Sequence, residues 1–396
     1  MTPSRIAMAL VIAASTCLAA PSQLTTHAAS KTAASLARHM PKLRSADAAE
    51  RQAAYDAFLH QGDEGRTALR NALLPLRKQR LAECQAFTLS QSAQARLLKA
   101  GTMMAKARAE ALRVIFDKKI YPDANHGRAG QPIVDKAVAA VKALFPAYRK
   151  LMVPHAKRFA RVLHAYRRIQ EIDKQLALCN TPDLKLDPPL ASLLPNIKAE
   201  LVELLTAEVA FRRYSVQCLR YNQRIRTSTS AAERKVIDLT NEYRMQLGIR
   251  PLAINERLVR AARKHSAEMT ALHYFGHHSP KPENRTPTLR CRKQGYKHFR
   301  GENCAYGTGA AGAFRGWYNS SGHHRNMVNP KANEIGVGHA GPWTEDFGTN
   351  PALDLDHLPR RRDGKANAAS AKPERKPRTK GNPWEALLPP KPPAQR

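Results

Sequence analysis

The sequence is poor in acidic residues, in aromatic residues and in long apolar runs. Its 396 residues include 32 Asp and Glu against 65 Lys and Arg, which gives a formal net charge of +33. Aromatic residues make up only 6%, which argues against a large all-β protein. Beyond the extreme N-terminus no run of about 18 apolar residues occurs, which excludes a polytopic membrane protein. Hydrophobic residues still make up 43%, enough for packed cores, and the positive charge indicates anionic partners or surroundings.

The cysteines lack metal-binding spacing, since the sequence has no CxxC pair and no Cys/His finger. The chain has six: Cys17, Cys84, Cys179, Cys218, Cys291 and Cys304. Cys291 and Cys304 lie close in sequence and are the predicted disulfide pair, while two of Cys84, Cys179 and Cys218 could form another. The alternative that several cysteines are buried free thiols stays open.

Residues 1–20 have the pattern of a secretory signal peptide. Arg5 supplies the positive charge, and Ile6 to Ala14 form an apolar stretch that is short for a bilayer span. An uncleaved signal anchor is the alternative. We expect a mature chain without a transmembrane helix that is secreted, periplasmic or associated with the cell envelope, where disulfides can persist.

The remaining sequence divides by composition into four regions. Residues 21–44 are predicted to be a linker, and residues 45–228 an all-α, basic helical bundle in which Pro146 and Pro154 interrupt one helix. Residues 231–349 differ in character, and residues 350–396 form a basic, Pro-rich tail that is predicted to be disordered. The basic regions favour binding to an anionic envelope polymer. Nucleic acid is not predicted, because no recognised motif is present and export argues against a genomic role.

Residues 231–349 predict a mixture of helices and strands. A first helix over 232–247 ends at Gly248, and a second begins after Asn255, a plausible N-cap. The β-prone run Glu334–Gly338 is followed by a hairpin partner over 342–348.

Three polar residues in this region could carry chemistry. Two imidazoles and a carboxylate, from His278, Glu302 and His323, could converge to bind a divalent metal with an open coordination position. They could equally act in acid–base catalysis, or pair with a nucleophilic Ser279 or Ser321. Scattered histidines in a basic protein are more often surface or core residues, so spacing alone does not decide.

A series of motifs, in family order over about 120 residues, resembles the CAP superfamily, also called SCP, and most closely its bacterial branch. The family includes cysteine-rich secretory proteins, antigen 5 and plant pathogenesis-related proteins. The matching motifs are Asn241-Glu242-Tyr243-Arg244, Ala261-Ala262 through His265-Ser266, His278-Ser279-Pro280, Gly301-Glu302-Asn303, Trp317 with Ser320, Gly322, His323, Asn326 and Met327, Glu334-Ile335-Gly336-Val337-Gly338, and Trp343-Thr344-Glu345-Asp346-Phe347-Gly348.

The resemblance implies an α+β protein: a C-terminal α-β-α sandwich with a central antiparallel sheet, preceded by the helical region. It also implies a cleft lined by two histidines and two glutamates, in which the histidines of some members hold a divalent metal such as zinc. His278, Glu302 and His323 fall on three of these positions, and the metal ligands are then His278 and His323, with zinc or calcium as the ion. Alignment one residue away, onto His277 or His324, stays open.

The fourth cleft position departs from the family pattern. Ser320 stands where eukaryotic members have the second glutamate, and Glu334 occupies a position common in bacterial members. Both are predicted to be cleft residues.

Three functions follow as hypotheses. The first, which we favour, is an exported module that binds a lipid-like, glycan or envelope ligand without catalysis. The second is a metal-assisted hydrolase or peptidase with Glu302, His278 and His323 as catalytic candidates. The third is an envelope scaffold in which the helical region is the working part.

Overall fold

The computed structural model describes residues 34–123, 129–307 and 309–355. The predicted signal peptide, the first part of the linker, Cys17 and the tail beyond residue 355 lie outside these residues. Among the described residues, no helix combines the length and the apolar composition that crossing a bilayer requires. The described chain forms two compact units, one of residues 34–86 and 164–189, the other of residues 87–163 and 190–355.

The first unit is a small all-helical body. It contains a helical segment over 34–39, a 3-10 turn at Pro41–Arg44, α1 (Ala48–Leu59), α2 (Gly62–Gln85) and the C-terminal part of α4 (Gln131–Ala177). Its core includes Leu36 and Leu43, so residues 34–44 are packed structure and not the predicted linker. The linker prediction failed here because two buried leucines are a weak signal within a stretch rich in Ala, Ser and Thr.

The second unit begins with helices of the basic region. These are α3 (Gln91–Phe116), the N-terminal part of α4, a 3-10 turn at Leu190–Leu193, and α5 (Ala199–Arg224). The predicted interruption of α4 is wrong, because both Pro146 and Pro154 lie inside one continuous helix. Buried residues flank both prolines, among them Val141, Tyr148 and Met152, so packing offsets the lost backbone hydrogen bonds.

The helices of residues 231–349 follow the sequence signals closely. α6 (Ala231–Gln246) begins with a capping box between Ser230 and Glu233 and ends before Gly248, which has a φ of +75°. α7 (Glu256–Ala271) has the predicted N-cap Asn255, whose side chain accepts from the backbone of Arg257. Shorter helices complete the set: a 3-10 turn at Pro282–Asn284, α8 (Pro287–Lys293), α9 (Gly309–Tyr318) and α10 (Ser321–Met327).

A four-stranded sheet lies among these helices in the order β1-β3-β4-β2. Its strands are β1 (Ala253–Ile254), β2 (Phe299–Ala305), β3 (Glu334–His339) and β4 (Trp343–Gly348). The predicted β3–β4 hairpin is confirmed, and β2 also pairs antiparallel with β4. The sheet is mixed and not wholly antiparallel, because the two-residue β1 pairs parallel with β3.

Helices cover both faces of the sheet and give the predicted α-β-α sandwich. α7 packs so closely on β3 that a Cβ atom at Gly336 would collide with the backbone nitrogen of Val259. On the opposite face, Thr240 of α6 donates a hydrogen bond to Glu345 of β4. The strand register places Glu302 opposite Asp346 on the face that packs against α7.

Candidate functional site

Glu302 is the buried centre of the candidate site. It lies on β2 with its side chain only 2% exposed. One carboxylate oxygen is 2.9 Å from His277 Nδ1, and the other accepts from Arg290 Nη2 at 2.6 Å. Arg290, on α8, also donates to the carbonyls of His277 and Asn284, so one guanidinium fixes both the carboxylate and the loop before it.

This environment keeps Glu302 ionised. Burial alone would raise its pKa, but the hydrogen bond with His277 and the positive charge of Arg290 outweigh burial and lower the pKa below its ordinary value. The carboxylate therefore accepts, and His277 holds its proton on Nδ1. The remaining ring nitrogen of His277, Nε2, is the one left to act as a ligand.

His323 lies across from His277. The ring centroids of His277 and His323 are 6.0 Å apart, and the side chain of His277 is 44% exposed. His278, the residue that the sequence analysis preferred, is exposed, and the structure brings its neighbour His277 onto Glu302. The loop before Ser279 has no sequence periodicity, so residue patterns could not decide between the two.

The neighbouring histidines His323 and His324 lie in clearly different environments. His324 is fully buried and bonds to the Tyr243 hydroxyl at 2.7 Å, and burial lowers its pKa to about 3. His323 is half-buried and lines an open cleft. Asn303 donates to the carbonyl of His323 and thereby ties α10 to β2. The structure thus places His323 at the cleft and its neighbour His324 in the core.

The two remaining predicted cleft residues lie in different places. Ser320 lines the cleft beside His323. Glu334 instead belongs to a buried hydrogen-bonded cluster at the start of β3, where it accepts from Asn255, Tyr296 and Asn350. Its carboxylate connects β3 with the residues that follow β1, precede β2 and follow β4, so its role is structural.

The predicted disulfide between Cys291 and Cys304 is absent from the structure, where both are buried thiols. Cys291 Sγ lies 3.8 Å from an Asp346 oxygen, and Cys304 Sγ lies 3.6 Å from Glu302. Burial raises the pKa of both thiols. Proximity in sequence was a poor guide, because a disulfide depends on the distance and direction of the two Cβ atoms.

Another group of potential metal ligands consists of His265, Glu302 and Cys304. Their ligand atoms lie within 4.8 Å of one another. His265 has both ring nitrogens near polar partners, Gly276 O at 3.0 Å and the Tyr274 hydroxyl at 3.2 Å. Cys304 Sγ lies 3.6 Å from Glu302, and a metal bound there would displace the thiol proton. These three residues could therefore also hold a metal ion.

Comparison with known proteins assigns this region to a family. The family model described as CAP, the cysteine-rich secretory protein family, matches residues 237–347. Residues 237–347 form a CAP domain. The uncharacterized protein YkwD of Bacillus subtilis (strain 168) is 38% identical over 125 residues, which are 31% of this chain and 48% of that protein. The uncharacterized membrane protein YlbC of the same strain is 32% identical over 112 residues, 28% of this chain and 32% of that protein.

The chain thus spans less than half the length of either curated relative. Among solved structures, an extracellular protein containing a SCP domain from Bacillus anthracis is 30% identical, with 30% of this chain and 40% of that chain covered at a TM-score of 0.29. An outer surface protein from Borrelia burgdorferi is 20% identical, with 31% of this chain and 96% of that chain covered at a TM-score of 0.28.

The cleft of the CAP domain has a volume of about 720 Å³. At its rim the rings of Phe275 and Tyr306 stack with centroids 4.4 Å apart, and the two residues are 47% and 67% exposed. Trp317 and Asn319 also line it. The cleft therefore offers both aromatic and polar surface beside His323.

Part of the cleft wall comes from outside the CAP domain. Gln131, Pro132 and Asp135, in the first turns of α4, line the same cleft. Asp135 accepts from the Tyr318 hydroxyl at 2.8 Å, and Gln131 accepts from the Tyr121 hydroxyl at 2.7 Å. Sequence reasoning missed these residues, because the contact between Asp135 and Tyr318 joins positions 183 apart along the chain.

The helix α10, which carries His323, is held by contacts with the end of α3 and the residues that follow it. Arg325 of α10 donates to the carbonyl of Ile115 at 2.8 Å and to that of Tyr121, and it forms an ion pair with Asp123. The hydroxyl of Ser321 donates to the Pro122 carbonyl. The position of His323 thus depends on α3 and the residues that follow it.

Proposed function

We propose that the protein is an exported binding module whose CAP cleft holds a divalent metal, and through it a ligand, with His277 and His323. The observation that carries the proposal is the pair of facing imidazoles, one of them oriented by a buried, ionised carboxylate. A carboxylate that accepts from Nδ1 fixes the ring and makes Nε2 a better ligand, as in many metal sites. Metal binding by His278, which the sequence analysis predicted, is the competing outcome of the test described below.

The donor set fits zinc better than calcium. Imidazole nitrogens suit zinc, whereas calcium prefers oxygen ligands. Two rings that bind one ion at ~2.0–2.1 Å from each nitrogen have centroids about 5–6 Å apart, and here the centroids are 6.0 Å apart. When bound, the ion would supply an electrophilic centre that orients an anionic or polar group of the ligand.

The contacts of Glu302 and of the two serines favour binding over hydrolysis. Glu302 is in an ion pair with Arg290, which makes its carboxylate a weak base. Ser279 donates its hydroxyl to Glu268, and Ser321 donates to a backbone carbonyl. Neither hydroxyl is paired with a cleft histidine in the way that nucleophilic catalysis requires.

The size and lining of the cleft support a small-molecule ligand. Its volume of about 720 Å³ lies within the range of ~300–1,000 Å³ typical of such sites. Stacked aromatic rings beside Asn319 and Ser320 suit a lipid-like or glycan ligand that has both apolar and polar surface. The signal-like N-terminus and the net charge of +33 support delivery to an anionic cell envelope.

Titration calorimetry of the full chain with Zn²⁺ and Ca²⁺ tests the metal. We expect heat with zinc, at least a tenfold loss of affinity in His277→Ala and in His323→Ala, and no change in His278→Ala, the matched exposed neighbour. Circular dichroism of each variant controls for folding. The proposal fails if the wild type gives no heat with either ion, or if His278→Ala alone loses binding. Native mass spectrometry of the exported protein would identify a retained ligand.

A further inference from the structure

The wall that α4 gives to the cleft carries an acidic side chain. Asp135 lines the cleft one turn into this helix, beside Gln131 and Pro132. Among the described residues that line the cleft, Asp135 is the only aspartate or glutamate, and no lysine or arginine is present. The whole sequence has 65 Lys and Arg and a formal net charge of +33. The acidic group on the cleft surface is therefore opposite in sign to the net charge of the chain.

Two hydrogen bonds hold the carboxylate of Asp135 in position. Its Oδ1 atom accepts from the Tyr318 hydroxyl and from the side-chain amide of Gln131, each at 2.8 Å. Both hydrogen bonds that the described residues make to this carboxylate use Oδ1, which leaves Oδ2 for a donor on a ligand. Gln131 is in turn held by the Tyr121 hydroxyl, which donates to its Oε1 atom at 2.7 Å. The acceptor is therefore in place before a ligand arrives.

Within the part of the chain that the structure describes, no lysine or arginine forms an ion pair with Asp135. Lys142, two turns further along α4, lies over the ring of Tyr318 with Nζ 5.7 Å from the ring centroid. It contacts the aromatic ring and not the carboxylate. A protonated amine on a ligand can therefore pair with Asp135 through a short, charge-assisted hydrogen bond.

Aromatic rings on the cleft surface favour the same kind of ligand. Phe275 and Tyr306 stack at the rim and are 47% and 67% exposed. The face of such a ring attracts a cation that lies within ~6 Å of its centroid, and it also packs against the apolar part of a ligand. A cleft with one acid and exposed aromatic rings thus complements a ligand that is positively charged at one group and apolar elsewhere.

We propose that the cleft recognises a protonated amino group of its ligand and that Asp135 is the residue that selects it. This rests on the proposed function in one respect, because the cleft must hold a ligand, but it does not require the metal. The amine can belong to a lipid headgroup or to an amino sugar, since both present the same charged donor.

Two pairs of soluble probes test the role of Asp135 by titration calorimetry of the full chain. Dihexanoyl phosphatidylethanolamine is compared with dihexanoyl phosphatidylglycerol, and glucosamine with glucose; only the first member of each pair has an amine. We expect the amine-bearing member to bind about three- to tenfold more tightly. The net charge of +33 favours the opposite order, so general surface charge cannot produce this preference. A preference within the lipid pair identifies a lipid headgroup, and one within the sugar pair identifies an amino sugar.

Asp135→Asn should remove the preference, because the amide oxygen still accepts from Tyr318 and Gln131 while the charge is gone. Asp183→Asn is the matched control, since Asp183 is an exposed aspartate outside the cleft lining, and it should leave the preference unchanged. Circular dichroism checks that both variants are folded.

The possible outcomes separate this role of Asp135 from the proposed function. Probes that bind the wild type without a preference for the amine, or a preference that persists in Asp135→Asn, would overturn the role of Asp135 and leave the cleft as a ligand site. If the folded wild type binds neither pair, the role of Asp135 and ligand binding by the cleft both fail. An amine preference without heat from zinc would support the role of Asp135 and overturn the metal alone.

Discussion

The two faces of the sheet bury a carboxylate in different ways. On the face towards α7, Glu302 is paired with a guanidinium at 2.6 Å and lies 2.9 Å from an imidazole. On the opposite face, Glu345 accepts from two neutral partners, Thr240 and Asn303. A buried carboxylate that is paired with a cation stays charged and can orient other groups, whereas one held by neutral donors takes up a proton more readily.

The largest expected effect comes from removing the cation that is paired with Glu302. Arg290→Met should leave Glu302 buried without its cation and lower the free energy of unfolding by about 3–5 kcal/mol. Urea denaturation followed by circular dichroism measures this. Arg292→Met, at an exposed position of α8, is the control and should change stability little. A similar small loss in both variants would show that Glu302 is compensated in some other way.

The state of Glu345 depends on pH, because this buried carboxyl group is neutralised by a proton. Glu345 of β4 accepts from Thr240 and Asn303, and burial raises its pKa to about 8 from an ordinary value of 4.5. Since the folded-state pKa is the higher one, the folded protein holds this proton over a range in which the unfolded chain has lost it. Its contribution to stability is therefore complete below about pH 4.5 and is lost as the pH rises towards 8.

Glu345→Gln should remove this pH dependence, which amounts to roughly 2–4 kcal/mol between about pH 5 and pH 8. The amide can donate to Thr240 and accept from Asn303, so the packing is kept. Denaturation curves across that range, for the variant and for the exposed-site control Glu283→Gln, measure the difference in slope. Equal slopes in the wild type and Glu345→Gln would show that Glu345 is ionised in the folded protein.

Local sequence signals were sufficient for much of the fold. Asn255 and Gly248 marked helix ends because capping depends on a residue and its immediate neighbours. The β3–β4 hairpin followed from a β-prone run and its nearby partner. Glu302 and His323 were found through family motifs; in the structure His323 lines the cleft, and Glu302 is buried beside His277.

What could not be predicted depends on distant contacts. The choice of His277 over His278 rests on Arg290, whose role depends on the packing of α8 against β2. The sequence predicted Glu334 as a cleft residue, but in the structure it accepts hydrogen bonds from Asn255, Tyr296 and Asn350.

The wall that α4 gives to the cleft means that the region matched by the CAP family model does not contain the whole cleft. If residues 237–347 were transplanted into another chain, both histidines would move with them, but Gln131 and Asp135 would stay behind. Under the proposed function, metal binding would then move with the domain, whereas selectivity for a ligand would depend on the neighbouring helix.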